Sequence, residues 1–219
     1  MNIPTDLEMR KALSDRVGEK LQSKFYDAAV AICGFGGLGS NIAISLARAG
    51  VGKLILVDYD KVDITNLNRQ QYKVHQIGMY KTDALNENIR EICPYTNIAA
   101  YTERLGNSNY KSILSCADVI CEAFDVAEEK SKLTDYVLEN MPDKFLVAAS
   151  GMAGIGCGNE IKTRKLTRRF YLCGDGVSSV ENGNPLYAPR VMICAGHQAQ
   201  TVLKILTEEF DVLKGQQNG

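Results

Sequence analysis

The chain has 219 residues, of which 45% are hydrophobic, and 25 Lys and Arg stand against 26 Asp and Glu for a formal net charge of -1. That length suits one large α/β core, and the near-neutral balance argues against a general nucleic-acid footprint. No apolar run has the form of a signal peptide or a membrane span, and 7 cysteines, an odd number, read as free thiols in a reducing, cytoplasmic setting.

In chain order, residues 1–24 read as an amphipathic, charged helix that leads into the fold. Residues 28–33 are a short apolar strand, 38–49 a helix, and 53–57 a second strand. Residues 79–92 form a helix with Leu85, Ile89 and Ile92 on one face. A strand through 119–121, a helix over 126–139 and a strand over 145–149 follow. Continuous apolar strands separated by helices point to a mostly parallel sheet covered on both faces. After Ser150 the character changes. Residues 151–158 are glycine-rich, 169–172 suit a strand, and 174–189 read as one long polar loop. Pro189 then starts a last helix over 190–209. With no repeat and no clear linker, residues 1–219 read as one domain.

The first strand runs directly into Gly34-Phe35-Gly36-Gly37-Leu38-Gly39-Ser40. Gly34, Gly36 and Gly39 have the spacing of a dinucleotide-type phosphate loop. The first glycine makes the turn, the second admits phosphate to the backbone, and the third lets helix and strand pack closely. The following helix start offers unpaired N–H groups to an anion. Asp58 ends the next strand, where an acid holds a ribose hydroxyl. A Rossmann-like, doubly wound sheet is the fold these features imply, and either ATP or NAD would fit them. The segment that follows, Asp58-Tyr59-Asp60-Lys61-Val62-Asp63-Ile64-Thr65-Asn66-Leu67-Asn68-Arg69-Gln70, favours a triphosphate. Arg69 can neutralise phosphate through two donors, Asn66 and Gln70 can orient it, and Asp60 joins Asp58 on the nucleotide. Lys81 supplies a second cation or is a solvated helix residue.

The glycine loop, the Asn-Leu-x-Arg-Gln segment and Lys81, in this order and spacing, resemble the ubiquitin-activating-like superfamily, and more narrowly the ThiF and MoeB adenylyltransferases. The resemblance runs over residues 10–210. It implies ATP-dependent adenylylation of the C-terminal glycine carboxylate of a ubiquitin-fold sulfur carrier ending in Gly-Gly, with Mg²⁺ as cofactor. Gly36 and its neighbours Gly34, Gly37 and Gly39 would line the nucleotide, and Asp58 would hold the ribose. Asn66, Arg69, Gln70 and Lys81 would contact phosphates. Asp125 matches the Mg²⁺ aspartate; a helix N-cap before Val126 is its other reading. The family also sends an N-terminal arginine across a homodimer, for which Arg16 is preferred over Arg10. Residues 174–189 match its crossover loop, under which the carrier tail threads.

The chain departs from the family in having no Cys-x-x-Cys pair. Phe170-Tyr171-Leu172-Cys173 keeps one cysteine where the first pair would stand, and the chain stops before the second. No zinc is therefore expected, and a compact ThiF-type variant in thiamine synthesis fits better than a molybdopterin enzyme. Cys173 reads as structural, as do His75 and His197. No nucleic-acid or membrane partner is expected. Three competing readings remain: a tRNA-modifying ATP-dependent dehydratase, an NAD-dependent oxidoreductase, and a non-catalytic carrier-docking partner.

Overall fold

The computed structural model describes residues 3–209. Seven strands, β1 (Ala29–Cys33), β2 (Lys53–Val57), β3 (Asn97–Tyr101), β4 (Val119–Glu122), β5 (Phe145–Ala149), β6 (Lys162–Lys165) and β7 (Phe170–Gly174), form one sheet ordered β3-β2-β1-β4-β5-β7-β6. All pairings are parallel except β6 with β7. Seven α-helices accompany the strands among the described residues: α1 (Asp6–Val17), α2 (Glu19–Tyr26), α3 (Gly37–Arg48), α4 (Lys81–Ile92), α5 (Tyr110–Leu114), α6 (Ala127–Asn140) and α7 (Ala188–Glu208). The expected doubly wound α/β fold is what forms.

Strand alternation sends successive residues to opposite faces, and it builds two cores. Val30, Ile32, Leu54 and Leu56 pack with Ile42 and Leu46 of α3 and Val202 and Leu206 of α7. Ala31, Cys33, Ile55 and Val57 pack with Leu114 of α5 and Leu133 and Val137 of α6. Every residue of β1 is buried, as a central strand covered on both faces requires. The chain winds outward from β1 through β2 to β3, then returns to β4 on β1's other side. The order reverses between β1 and β4, so their C-terminal ends open a crevice where such sheets bind ligands.

Two expectations need correction. The single helix over residues 1–24 is two helices, because Gly18 turns the chain at φ +91° between α1 and α2. α1 buries no residue; a Thr5–Glu8 capping box sets its start, and Arg10 lies over the Tyr26 ring at 3.5 Å. Strands β3 and β6 had no sequence signal strong enough to find them. They are the two edges of the sheet, and β6 (Lys-Thr-Arg-Lys) exposes all four residues.

Candidate active site

The loop after β1 shows why three glycines are needed. Gly34 sits at φ +93°, closed to most side chains. A Cβ on Gly39 would lie 1.8 Å from the Gly34 carbonyl oxygen, so α3 packs against its own entry turn only through glycine. Gly36 differs: its nearest neighbour to a built Cβ is the Gln70 amide at 3.9 Å. The space beside Gly36 belongs to no protein atom, as expected where a ligand approaches the backbone. Gly36 also precedes α3 without a side-chain cap, leaving the first-turn N–H groups free for an anion. Gly37 packs against Val191 and the stem of Arg69.

Asp58 is buried at the end of β2. It accepts the Phe35 N–H at 2.5 Å and the Asp60 N–H at 2.7 Å, so it ties the glycine loop to the segment that follows. Burial raises its pKa, and Lys81 and the two N–H donors act against that rise. Lys81 is not the solvated residue it could have been. It is buried and pairs with Asp60 at 2.8 Å. Asp58, Asp60 and Lys81 line one open cleft with Gly34, Phe124 and Asp125.

A second groove starts at Gly36, Phe124 and Asp125 and continues past Arg69 and Gln70 toward Gly151 and Gly176, beneath residues 176–181. The Gln70 Oε1 and the Arg69 Nε are buried without a hydrogen-bond partner among the described residues, which leaves polar capacity unfilled beside the loop. Arg69 otherwise donates to Thr65 O and Asn68 Oδ1. Asn66 ends the short helix that precedes Arg69. Its side-chain oxygen accepts the Asp63 N–H at 3.0 Å, closing a capping box on the short helix Ile64–Asn66, and it lines neither cleft.

Asp125 is exposed where the two clefts meet. The N-cap reading fails: Val126 is the N-cap of α6 and no side chain caps it. The turn presenting Asp125 is instead held by Glu122, a buried carboxylate that accepts the Phe124 N–H at 2.7 Å and pairs with Lys130 at 2.8 Å. Burial raises the Glu122 pKa against the pull of Lys130. Among the described residues no three His, Cys, Asp or Glu side chains gather as a metal cage. One carboxylate completed by substrate phosphates is the usual Mg²⁺ arrangement, and Asp125 fits it.

Sequence reasoning missed the brackets around this site. Ser40 Oγ donates to Gly36 O and accepts the Gln71 N–H. Asn41 joins Gly37 O to Gln71, and Tyr72 OH donates to Phe35 O at 2.9 Å. Small polar residues in the first turn of an otherwise apolar helix were the available signal. Arg16 is exposed on α1 and lines neither cleft, while Arg10 is occupied by Tyr26 and Asp6. Cys173 is buried, its pKa raised by that burial, beside Thr163 and Thr201. His75 pairs with Glu87 on the surface, and His197 meets Thr163.

Comparison with known proteins places this geometry. The ThiF family matches residues 9–218. The chain belongs to the ThiF family. Within that superfamily it is 34% identical over 145 residues to the adenylyltransferase and sulfurtransferase MOCS3 of Caenorhabditis briggsae, spanning 65% of this chain and 35% of the relative. It is 32% identical over 139 residues to the tRNA threonylcarbamoyladenosine dehydratase of Escherichia coli, spanning 63% of this chain and 51% of the relative. The chain thus covers about a third to a half of these relatives' length. The fold of the E. coli dehydratase TcdA, solved with ATP, superposes with a TM-score of 0.84 over 95% of this chain and 98% of that one at 22% identity. In this chain the glycine loop lies at the switch point of the sheet, between β1 and β4. No helix among the described residues is long and apolar enough to cross a membrane.

Proposed function

We propose that this chain adenylylates the C-terminal carboxylate of a ubiquitin-fold sulfur carrier ending in Gly-Gly, using ATP and Mg²⁺ and releasing pyrophosphate. The observation that carries this reading is the junction of two clefts at Gly36, Phe124 and Asp125. One holds the ribose acid and Lys81. The other is a groove walled by Gly36, Gly37, Ala149, Ser150, Gly151 and Gly176, suited to an extended glycine tail.

The residues then have separable tasks. Asp58 accepts from the ribose, and the start of α3 receives phosphate oxygens. The carrier's carboxylate oxygen attacks the α-phosphorus, a P–O bond forms, and the bond to pyrophosphate breaks. The carboxylate is already ionised at neutral pH, so no base is required. Arg69 and Lys81 offset charge as pyrophosphate leaves. Mg²⁺ held at Asp125 would neutralise phosphate charge. Each site would be completed by Arg16 from a second copy in a homodimer, a reading supported by its exposure and by its absence from the lining of its own clefts. The absence of any Cys-x-x-Cys in the sequence favours a thiamine-pathway, ThiS-like carrier. ATP–pyrophosphate exchange with such a carrier tests the reading: Arg69→Ala and Asp125→Ala should lose it while staying folded. Exchange at the wild-type rate in both would remove these assignments.

A second reading has one observation in its favour. The likeness to TcdA covers nearly the full length of both chains. Under that reading the acceptor is a carboxylate on a modified tRNA base. AMP release that needs tRNA and no carrier protein would select it.

A further inference from the structure

The chain is nearly neutral, yet between residues 161 and 174 it carries Lys162, Arg164, Lys165, Arg168 and Arg169 and no acid. These residues form the β6–β7 hairpin at the free edge of the sheet. Charge on an edge strand guards against edge-to-edge pairing, but that task does not require one sign only. The alternation also sorts the cations. Thr163 turns toward α7, where it meets His197 at 3.0 Å and Thr201 at 3.5 Å. Lys162 and Arg164, one residue to either side, point to the other face. Both line an open cleft there, and neither has an ion-pair partner among the described residues.

This cleft is joined to the tail groove. Ala153, Val177 and Ser178 line both, so the two lie on either side of the start of the 176–181 loop. The Arg164 guanidinium reaches that loop; a Cβ on Gly176 would lie 2.6 Å from its Nη2. The other arginine of the cleft, Arg190, is spent on Asp175 at 2.6 Å and Glu160 at 3.4 Å. Ile155 and Val177, which also line the cleft, are 85% and 82% exposed. Glu160 and Asp175 also line the cleft, but Arg190 pairs with both, which leaves Lys162 and Arg164 as its unpaired charges among the described residues. Exposed apolar side chains beside two unpaired cations, next to a groove that would take a peptide tail, have the anatomy of a protein-docking surface.

We propose that this surface docks the body of the carrier whose tail enters the groove, and that the carrier presents to Lys162 and Arg164 an acidic patch next to its Gly-Gly tail. The inference rests on the adenylyltransferase reading above and adds to it the charge of the partner's docking face. Unpaired rim cations act mainly on encounter and on affinity, and are screened by salt. They therefore govern KM for the carrier and leave the chemical step alone.

The test compares wild type, the double reversal Lys162→Glu/Arg164→Glu, and Lys111→Glu as a remote exposed control. The probe is a purified ubiquitin-fold sulfur carrier ending in Gly-Gly, with Mg-ATP. For the double reversal we expect KM for the carrier to rise about tenfold or more, with kcat at saturating carrier and ATP affinity within about twofold of wild type. The KM gap should shrink as salt is raised, and acid-to-lysine changes on the carrier should restore it. Lys111→Glu should match wild type. An unchanged KM, with carrier-AMP still forming, overturns the docking surface and leaves adenylylation standing. Loss of tRNA binding in the reversal, with the carrier's KM unchanged, overturns it in favour of a nucleic-acid face. A wild type that gives no AMP adduct with the carrier overturns both readings.

Discussion

The two halves of the site are built in opposite ways. On the nucleotide side, the β1–α3 turn is over-determined. Asp58 and Tyr72 bond to Phe35, Ser40 bonds to Gly36 and Asn41 to Gly37, and Gly39 has no room for a methyl. On the groove side, residues 174–187 are largely exposed and hold mainly at their base, where Asp175 accepts from Arg190, Val177 N–H and Ser178 N–H. The acids differ accordingly. Burial raises the Asp58 pKa, so its ionised form costs stability at neutral pH. Burial also works to raise Asp175, but its hydrogen bonds from Ser178, Val177 and Arg190 prevail and hold it well below the usual carboxylate range. A rigid cradle suits a nucleotide of fixed shape; a tethered strap suits a chain that must thread beneath it.

Four experiments press on this contrast. Asp125→Ala and Arg69→Ala should lower adenylylation by about 100- to 1000-fold. Asp125 is exposed and caps nothing, so its loss should move stability by less than about 0.5 kcal/mol. A large drop in thermal stability for Asp125→Ala would make it a structural residue. Within the glycine loop, Gly39→Ala should destabilise by about 3 kcal/mol or prevent folding. Gly36→Ala should fold normally and bind ATP more weakly, and equal stability losses in the two variants would deny Gly36 its ligand role.

On the groove side, Arg190→Ala should cost about 2 kcal/mol, less than the roughly 3–5 kcal/mol of a fully buried pair, because Asp175 keeps its backbone donors. The sign with pH follows from the depressed Asp175. The folded pKa lies well below the unfolded one, so the stabilisation is fully present above about pH 5, starts to fall near pH 4, and is lost only as pH drops on through the folded pKa. Denaturation of Arg190→Ala and wild type should therefore differ by a constant amount from neutral pH to below about pH 4, because the backbone donors still depress Asp175 in the variant, and converge only in stronger acid, where folded Asp175 takes up its proton; a gap that widens in acid would contradict the pairing. The smallest effect is in hydrogen exchange. Residues 174–189 should exchange fast alone and slow once carrier and ATP saturate the protein, while β1 stays protected throughout. Unchanged exchange would remove the loop from the mechanism.

Much of the nucleotide half could be read in the sequence because its signals are local. A strand, three glycines at fixed spacing and an acid at the next strand's end lie within 31 consecutive residues, 28–58. The rest needed contacts between distant segments. Lys81 could not be told from a surface lysine until the Lys61–Tyr80 bridge set it beside Asp60. Asn66 reads as a phosphate ligand in sequence, and only the structure shows that its side-chain oxygen is used within the 3-10 turn. Glu122 and Lys130 are eight residues apart and carry no motif, yet they shape the turn that presents Asp125. Edge strand β6 was invisible because it has no apolar residue, and the same lack of apolar residues is what makes its cations a candidate surface.

The most direct test of the account is the intact mass of a purified ubiquitin-fold sulfur carrier incubated with this protein and Mg-ATP. The account predicts a carrier heavier by one AMP at its C-terminal glycine, formed by wild type, lost with Arg69→Ala, and absent when the carrier lacks that glycine. A carrier of unchanged mass, from a protein shown to bind ATP under the same conditions, would contradict it.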